Sequence, residues 1–365
     1  MTFLFVAPRY HTNLHFQIKA LVDHGHLVYF WSLYRGGAEY YEAVVPKVLG
    51  FSSTFLFLNR LFNSSGGRLI KNNFELKYGY PPLFDLLRRQ ALLKPEVVVI
   101  KNIASLYSLI VAAFAKLSGS RVIFLVQIPK HRPKTKSFSV FLVGCLFGAK
   151  VITPVLGETS FKNKNDNLIY IPFSYPEVTT LPARFVSGPV KIICVGKFQE
   201  RKDQLSLVEV LNTLKNKHDW RLTLIGQDDE EIYIKKMHQY ITSHNLANLI
   251  TIKTDLPWER VQEDYVAHDL FVLPSYLEAA SCAVLEAMAH GLPVLTSDDN
   301  GTMWYVRPGV NGEHFRARDK MDLLTKLNVL LGDRSKLLAM GQASLDIVKR
   351  DHLPEKFYEQ FIGIL

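Results

Sequence analysis

Only three cysteines, Cys145, Cys194 and Cys282, occur in 365 residues. Their scattered spacing fits neither a disulfide framework nor a metal site, so a reducing, cytoplasmic compartment is expected. Long apolar runs are missing too. No stretch of about 18 residues is free of charged or polar breaks, so no transmembrane helix is expected. The opening MTFLFVAPRYH has no basic leader region and reads as a first strand rather than a signal peptide. Zinc-finger and RNP-type signatures are absent, which argues against a nucleic-acid partner. Acidic residues are scarce at the start. Up to Arg184, 22 Lys and Arg stand against 9 Asp and Glu, whereas the remainder carries 21 against 25. A basic first half either faces an anionic partner, such as a phospholipid surface or a pyrophosphate-linked lipid, or is a solvated face with none.

What is present is the composition of a globular protein, 48% hydrophobic and 21% charged, at a length that predicts two domains. Strands are expected at Phe3–Ala7, Leu27–Trp31, Val97–Ile100, Arg121–Val126, Val151–Thr153 and Leu168–Ile171. A second series falls at Val190–Val195, Arg221–Ile225, Ile250–Lys253, Leu270–Leu273 and Val294–Thr296. Helical patterns separate them, notably His15–His24, Pro82–Leu93, Ser105–Ser118, Asp203–Asn216, Glu230–His244 and Trp258–Ala267. Continuous Val, Ile and Leu strands alternating with amphipathic helices predict an α/β protein with parallel sheets covered on both faces. The domains are set at 1–175 and 190–350, with a proline-rich linker over 176–189. The aromatic helix within 351–365 is a candidate to pack back on the first domain. Two stretches, Phe51–Phe62 and Lys134–Lys150, mix aromatic and basic residues, as an interfacial membrane segment or a core-facing helix with a solvated rim would.

The run Leu273–Gly301 is the most informative. It reads as a strand, an exposed turn holding Glu278, a helix holding Glu286 and ending at Gly291-Leu292-Pro293, and a second strand. A loop entering a helix collects unpaired N–H groups that suit a phosphate. Ser281 is the expected N-cap, its hydroxyl accepting from the amides of Ala283 or Val284. Two carboxylates would repel an anion there, so they are better suited to sugar or ribose hydroxyls. Upstream, the strand ending at Gly196 is followed by Lys197, Arg201 and Lys202. Gly196 permits a sharp turn or close approach of a ligand. Lys197 and Lys202 can converge on a diphosphate, where fixed cations stabilise a departing nucleotide. The adjacent pairs Asp228-Asp229 and Asp298-Asp299 lack D-x-D spacing, and the first reads as solvated loop charge. His131, beside Arg132 and Lys134, reads as an exposed basic-loop residue.

Pro274-Ser275-Tyr276-Leu277-Glu278 and Leu285-Glu286-Ala287-Met288-Ala289-His290-Gly291-Leu292-Pro293-Val294, with Gly196, Lys197 and Lys202, resemble the retaining GT-B glycosyltransferases of family 4, glycosyl transferases group 1, of the bacterial polysaccharide and lipopolysaccharide type. The resemblance is strong over Val190–Phe315. It implies two Rossmann-like doubly wound domains facing across a cleft, the first taking the acceptor and the second a nucleotide sugar. It implies further that Glu278, with Lys202 and Lys197, acts on donor sugar and diphosphate, and that Glu286 holds the ribose. Ser281, Cys282, Ala283 and Val284 would line the sugar and phosphates, and Gly226 would open another donor-side loop. It implies no metal or other cofactor. His11, Asn13, Gln127 and Asn300 are candidate acceptor or sugar contacts. Two departures stand out. Ala279-Ala280-Ser281-Cys282 replaces a glycine-rich stretch, and Gln127 stands where many relatives have histidine. Gln hydrogen-bonds a hydroxyl but is no general base. The expected function is hexosyl transfer from a UDP-linked sugar to a lipid-linked or lipopolysaccharide acceptor at the inner membrane face. A catalytically silent accessory subunit and a nucleotide-sugar 2-epimerase are the rival readings.

Overall fold

Seven stretches in the computed structural model form one parallel sheet, its central strands buried along most of their length. They are β1 (Thr2–Val6), β2 (Leu27–Ser32), β3 (Lys47–Val48), β4 (Val97–Lys101), β5 (Arg121–Leu125), β6 (Lys150–Thr153) and β7 (Leu168–Tyr170). Their order is β3-β2-β1-β4-β5-β6-β7. A second parallel sheet contains β8 (Val190–Val195), β9 (Trp220–Gly226), β10 (Ile250–Thr254), β11 (Leu270–Leu273), β12 (Val294–Ser297) and β13 (Gly312–Phe315). Its order is β10-β9-β8-β11-β12-β13. The structure describes residues 1–36, 39–63, 74–131, 138–159, 168–178, 188–227 and 230–365. Most of the expected linker, Asp228-Asp229, Arg132 and Lys134 lie outside them.

The chain divides into two units, Met1–Pro172 with Pro354–Leu365, and Phe173–Leu353. In the first, alternation sends Leu4, Val6, Val98, Ile100 and Phe124 to one sheet face. That face is covered by the helices Leu83–Leu93, Leu106–Leu117 and Phe138–Phe147, through Leu86, Tyr107, Val111 and Val143. Phe3, Phe5, Val97 and Val99 line the other face, against the helix His15–Asp23 and the terminal helix Pro354–Gly363 with its buried Phe357 and Phe361. In the second unit, Ile192, Cys194, Leu222 and Leu224 pack on helices that include Gln204–Leu214 and Glu231–Ser243.

Among the described strands and α-helices, four were not foreseen: β3, β13, and the helices Lys320–Leu331 and Arg334–Asp351. Both helices carry an aspartate cap. Asp319 accepts from the amides of Met321 and Asp322, and Asp333 from that of Lys336. His131 departs from its expected exposure. Its backbone bridges to Gly157 and its amide donates to the Leu156 carbonyl, which draws the residue into the interior. No helix among the described residues is long and apolar enough to cross a membrane.

Candidate active site

Each sheet reverses strand order once. In the second unit this happens at β8, which has β9 on one side and β11 on the other. Loops leaving the carboxyl ends of β8 and β11 meet there, Tyr276 N donating to the Arg201 carbonyl, at the usual ligand position in open parallel sheets. These loops are the two singled out by sequence, Gly196–Lys202 and Pro274–Ser281.

The first loop is braced from beneath. The Gln204 amide donates to the carbonyls of Gly196 (3.2 Å) and Lys197 (3.0 Å). A 3-10 turn over Glu200–Lys202 then directs Arg201 and Lys202 at the second loop. Gly196 has no left-handed φ, and an added Cβ would meet only the Lys202 chain at ordinary distances from 3.5 Å. The fold does not require glycine there, so of its two expected roles only close ligand approach remains. Gly226 is different: a Cβ would lie 2.1 Å from the Gly196 carbonyl oxygen, so packing of the β8 and β9 ends demands glycine.

Glu278 is the hub. Its Oε2 accepts from Lys202 Nζ at 2.5 Å and from Arg201 Nη1 at 2.8 Å, with the Lys202 and Glu278 side chains only 9% and 10% exposed. Burial alone would raise the Glu278 carboxyl, but Lys202 and Arg201 outweigh it and hold it below its ordinary value. Two cations thus face one carboxylate, and with Lys197 counted against Glu200 the loop pair keeps one net positive charge. The repulsion expected of a carboxylate beside an anion site is cancelled locally.

The second loop is strapped to the turn after β12. Glu278 N donates to the Asp299 carbonyl, Gly301 N to the Glu278 carbonyl, and Leu277 N to Asp299 Oδ2 at 2.7 Å. Leu277 adopts φ 52°, a left-handed conformation uncommon for a branched side chain, and is well exposed. Asn300 is 2% exposed. Its amide donates to Thr296 Oγ1 and its Oδ1 accepts from Thr302, so it braces the turn and presents no free group to a sugar. Ser281 occupies the N-cap of the helix Cys282–Ala289 with extended backbone angles, but its hydroxyl makes no cap hydrogen bond. Its carbonyl instead accepts from Thr302 Oγ1, which ties the helix entry to the β12 turn. Cys282 and Ala283 are half-buried at the helix start, while Val284 points into the core and offers only its backbone.

Glu286 lies one turn further along that helix. Burial pushes its carboxyl up, opposed by hydrogen bonds from Tyr265 and Trp258; the Tyr265 contact is 3.0 Å. Both partners come from the preceding helix Trp258–Ala267 and were not singled out by sequence. Arg201, beside Lys202, was named in the basic turn but given no role of its own. Spacing within the 3-10 turn is what brings both onto one carboxylate.

The remaining candidates lie in the first unit, at the carboxyl edge of its sheet. His11 and Asn13 follow β1, and Lys101 ends the neighbouring β4, at that sheet's own reversal point. Lys101 Nζ donates to Asn13 Oδ1 at 3.2 Å. Burial, then Lys101 and Arg9, depress the His11 imidazole to about 2, so it is neutral at any working pH. Gln127 is half-buried two residues beyond β5.

Comparisons with known proteins fit this arrangement. Residues 182–345 match the family described as Glycosyl transferases group 1. Over 96 residues the chain is 38% identical to a D-inositol 3-phosphate glycosyltransferase of Nocardia farcinica, covering 26% of this chain and 21% of that protein. Over 167 residues it is 27% identical to the lipopolysaccharide 1,6-galactosyltransferase of Escherichia coli, covering 44% and 45%. The chain thus spans less than half the length of either curated relative. Among solved structures, Anabaena HepE in complex with UDP and glucose covers 100% of this chain and 99% of its own, with a TM-score of 0.73 and 16% identity. At that identity the likeness is one of fold.

Proposed function

We propose that this chain, whose residues 182–345 match glycosyl transferases group 1 and whose fold is GT-B, is a retaining glycosyltransferase. It moves a hexosyl unit from a UDP-linked sugar to a lipid-linked glycan or lipopolysaccharide-type saccharide at the cytoplasmic membrane face. The observation that carries this reading is the Glu278–Lys202–Arg201 cluster at the strand-order reversal of the second unit. Its surplus positive charge suits a nucleoside diphosphate, and its carboxylate suits a sugar hydroxyl beside it.

In this mechanism Lys202 and Lys197 hold the diphosphate and take up negative charge as the C1–oxygen bond of the donor breaks. Glu278 orients the sugar, and Glu286 accepts from the ribose hydroxyls. The backbone from Ser281 to Val284 lies along sugar and phosphates. In this reading His11, neutral, and Asn13 bind hydroxyls of the acceptor, with Gln127 as a further contact. On the family resemblance no metal takes part, so chelation is expected to leave the rate unchanged.

The test is nucleotide release from a panel of UDP-, GDP- and ADP-sugars with membrane-extracted acceptors. Release with one UDP-sugar, lost in Glu286→Ala, is expected. No release with any donor would refute the assignment and favour a silent accessory role.

A further inference from the structure

The helix Phe138–Phe147 contains no charged residue. Val140 and Val143 enter the core of the first unit. On the opposite side, Phe138, Phe141, Leu142 and Leu146 form an i, i+3, i+4, i+8 stripe that is 73%, 51%, 39% and 59% exposed. A helix apolar around its whole circumference belongs inside a core or against lipid. The same sheet face bears the helix Leu83–Leu93, whose outer stripe runs Phe84, Arg88, Leu92, with both apolar members strongly exposed. Ring contacts from Tyr34 through Phe51 to Phe55 bring the helix Ser53–Asn63 to this side too, where Phe57 and Leu61 stand in solvent. Among the described residues, 21 of 27 exposed large apolar side chains belong to the first unit, so the pattern is not general surface noise.

Charge decides what covers this face. Arg60, Lys77, Arg88, Lys94 and Lys116 are exposed on its helices and their ends. Of the acids among them, Asp85 is neutralised by Arg89 at 2.6 Å, and Glu75, which accepts from the Asn59 amide, offsets one of the five cations, so the face stays positive. Two copies placed face to face would set these cations against each other. An anionic bilayer accepts the rings below its headgroups and the cations at them.

We propose that this helix-covered face docks on an anionic lipid surface. The side chains of Phe57, Phe84, Phe138 and Phe141 enter the interfacial zone, and Arg60 and Arg88 lie at headgroup level. The inference deepens the membrane-side acceptor of the proposed reaction. It is read without turnover, so a chain that binds vesicles and transfers no sugar refutes only the enzymatic reading.

The full chain is sedimented with phosphatidylcholine vesicles containing about a third phosphatidylglycerol. It is expected to co-sediment, to do so much less with phosphatidylcholine alone, and to release at high salt. Phe138→Ser/Phe141→Ser should lower partitioning about tenfold or more. Because both rings are exposed, its unfolding temperature should stay near that of the parent. A second variant, Phe84→Ser/Arg88→Gln, should weaken binding independently. Equal sedimentation of parent and both variants overturns the proposal. So does loss of a self-associated species in sedimentation velocity with vesicle binding unchanged, which would assign the face to a second copy of the chain.

Discussion

Replacing Glu278 by glutamine separates charge from shape at the centre of the site. The carboxylate holds Lys202 and Arg201 through one oxygen, with Lys202 and Glu278 both about nine-tenths buried. Removing one partner of a buried pair typically costs about 3–5 kcal/mol, because the other charge is left uncompensated. Here it leaves two cations side by side, so Glu278→Gln should fall within that range, or roughly 10 °C of Tm for a unit of this size. Lys202→Met should cost less, about 1–3 kcal/mol, since Arg201 still pairs with the carboxylate.

Ligand binding should then reverse the ranking. A diphosphate supplies the negative charge that Glu278→Gln lacks, so UDP should stabilise this variant more than the parent and bind it several-fold tighter. Lys202→Met should bind UDP about tenfold or more weakly. Transfer should collapse in both, because Glu278→Gln loses the charged acceptor for the sugar hydroxyl. Thermal unfolding with and without UDP, alongside calorimetric titration, reads all of this. If Glu278→Gln weakens UDP binding as much as Lys202→Met does, the view that Glu278 balances the phosphate-binding cations is wrong.

Gly226→Ala should destabilise by about 2–4 kcal/mol, since its Cβ would stand 2.1 Å from a backbone oxygen, while Gly196→Ala should change stability by less than about 0.5 kcal/mol and show its effect in donor affinity; urea unfolding and UDP titration separate them. Burial raises the Glu286 carboxyl, so the folded chain holds this proton to higher pH than the unfolded one, and the contribution to stability is lost as pH rises through the folded value. Glu286→Gln should therefore raise Tm at neutral pH while raising the donor KM about tenfold or more. His352 is buried, and burial first of all lowers its imidazole to about 4. Folded below unfolded means the stabilising contribution is complete above about 6.5 and is lost as pH falls toward 4, about 3 kcal/mol in all. His352→Gln should flatten that limb of the stability–pH curve.

Much of the fold was legible because parallel strands buried on both faces are nearly uninterrupted apolar runs. VVVI at Val97–Ile100 and KIICV at Lys191–Val195 have no other reading at that length. What escaped lacks the signature. β3 is two residues, Lys47 and Val48, both exposed, and exists only because it pairs with the end of β2. β13 reads Gly-Glu-His-Phe, and its place is fixed by pairing with β12 and by a glycine whose Cβ would strike the Val294 carbonyl. The helices after Asp319 and Asp333 did carry cap signals, which were hidden by the absence of a flanking strand run.

The site shows the same division in a sharper form. Residue types and spacing pointed to Glu278, Glu286, Lys197 and Lys202, because those are one-dimensional facts. Which groups neutralise which is three-dimensional. From sequence, a carboxylate in an anion-binding loop is an electrostatic conflict. In the fold, a 3-10 turn off β8 swings Arg201 and Lys202 across the strand-order reversal onto a loop off β11, about 75 residues later in the chain. The conflict thereby becomes a preorganised charge balance, with the carboxylate fixed in place before any phosphate arrives. The same logic explains why the β12 turn spends Asn300, Asp299 and Thr302 internally. A carboxylate that must hold two cations and still meet a sugar needs its backbone tied on both sides. Loosening that strap, as in Asn300→Ala, should degrade transfer without removing any group that touches the substrate.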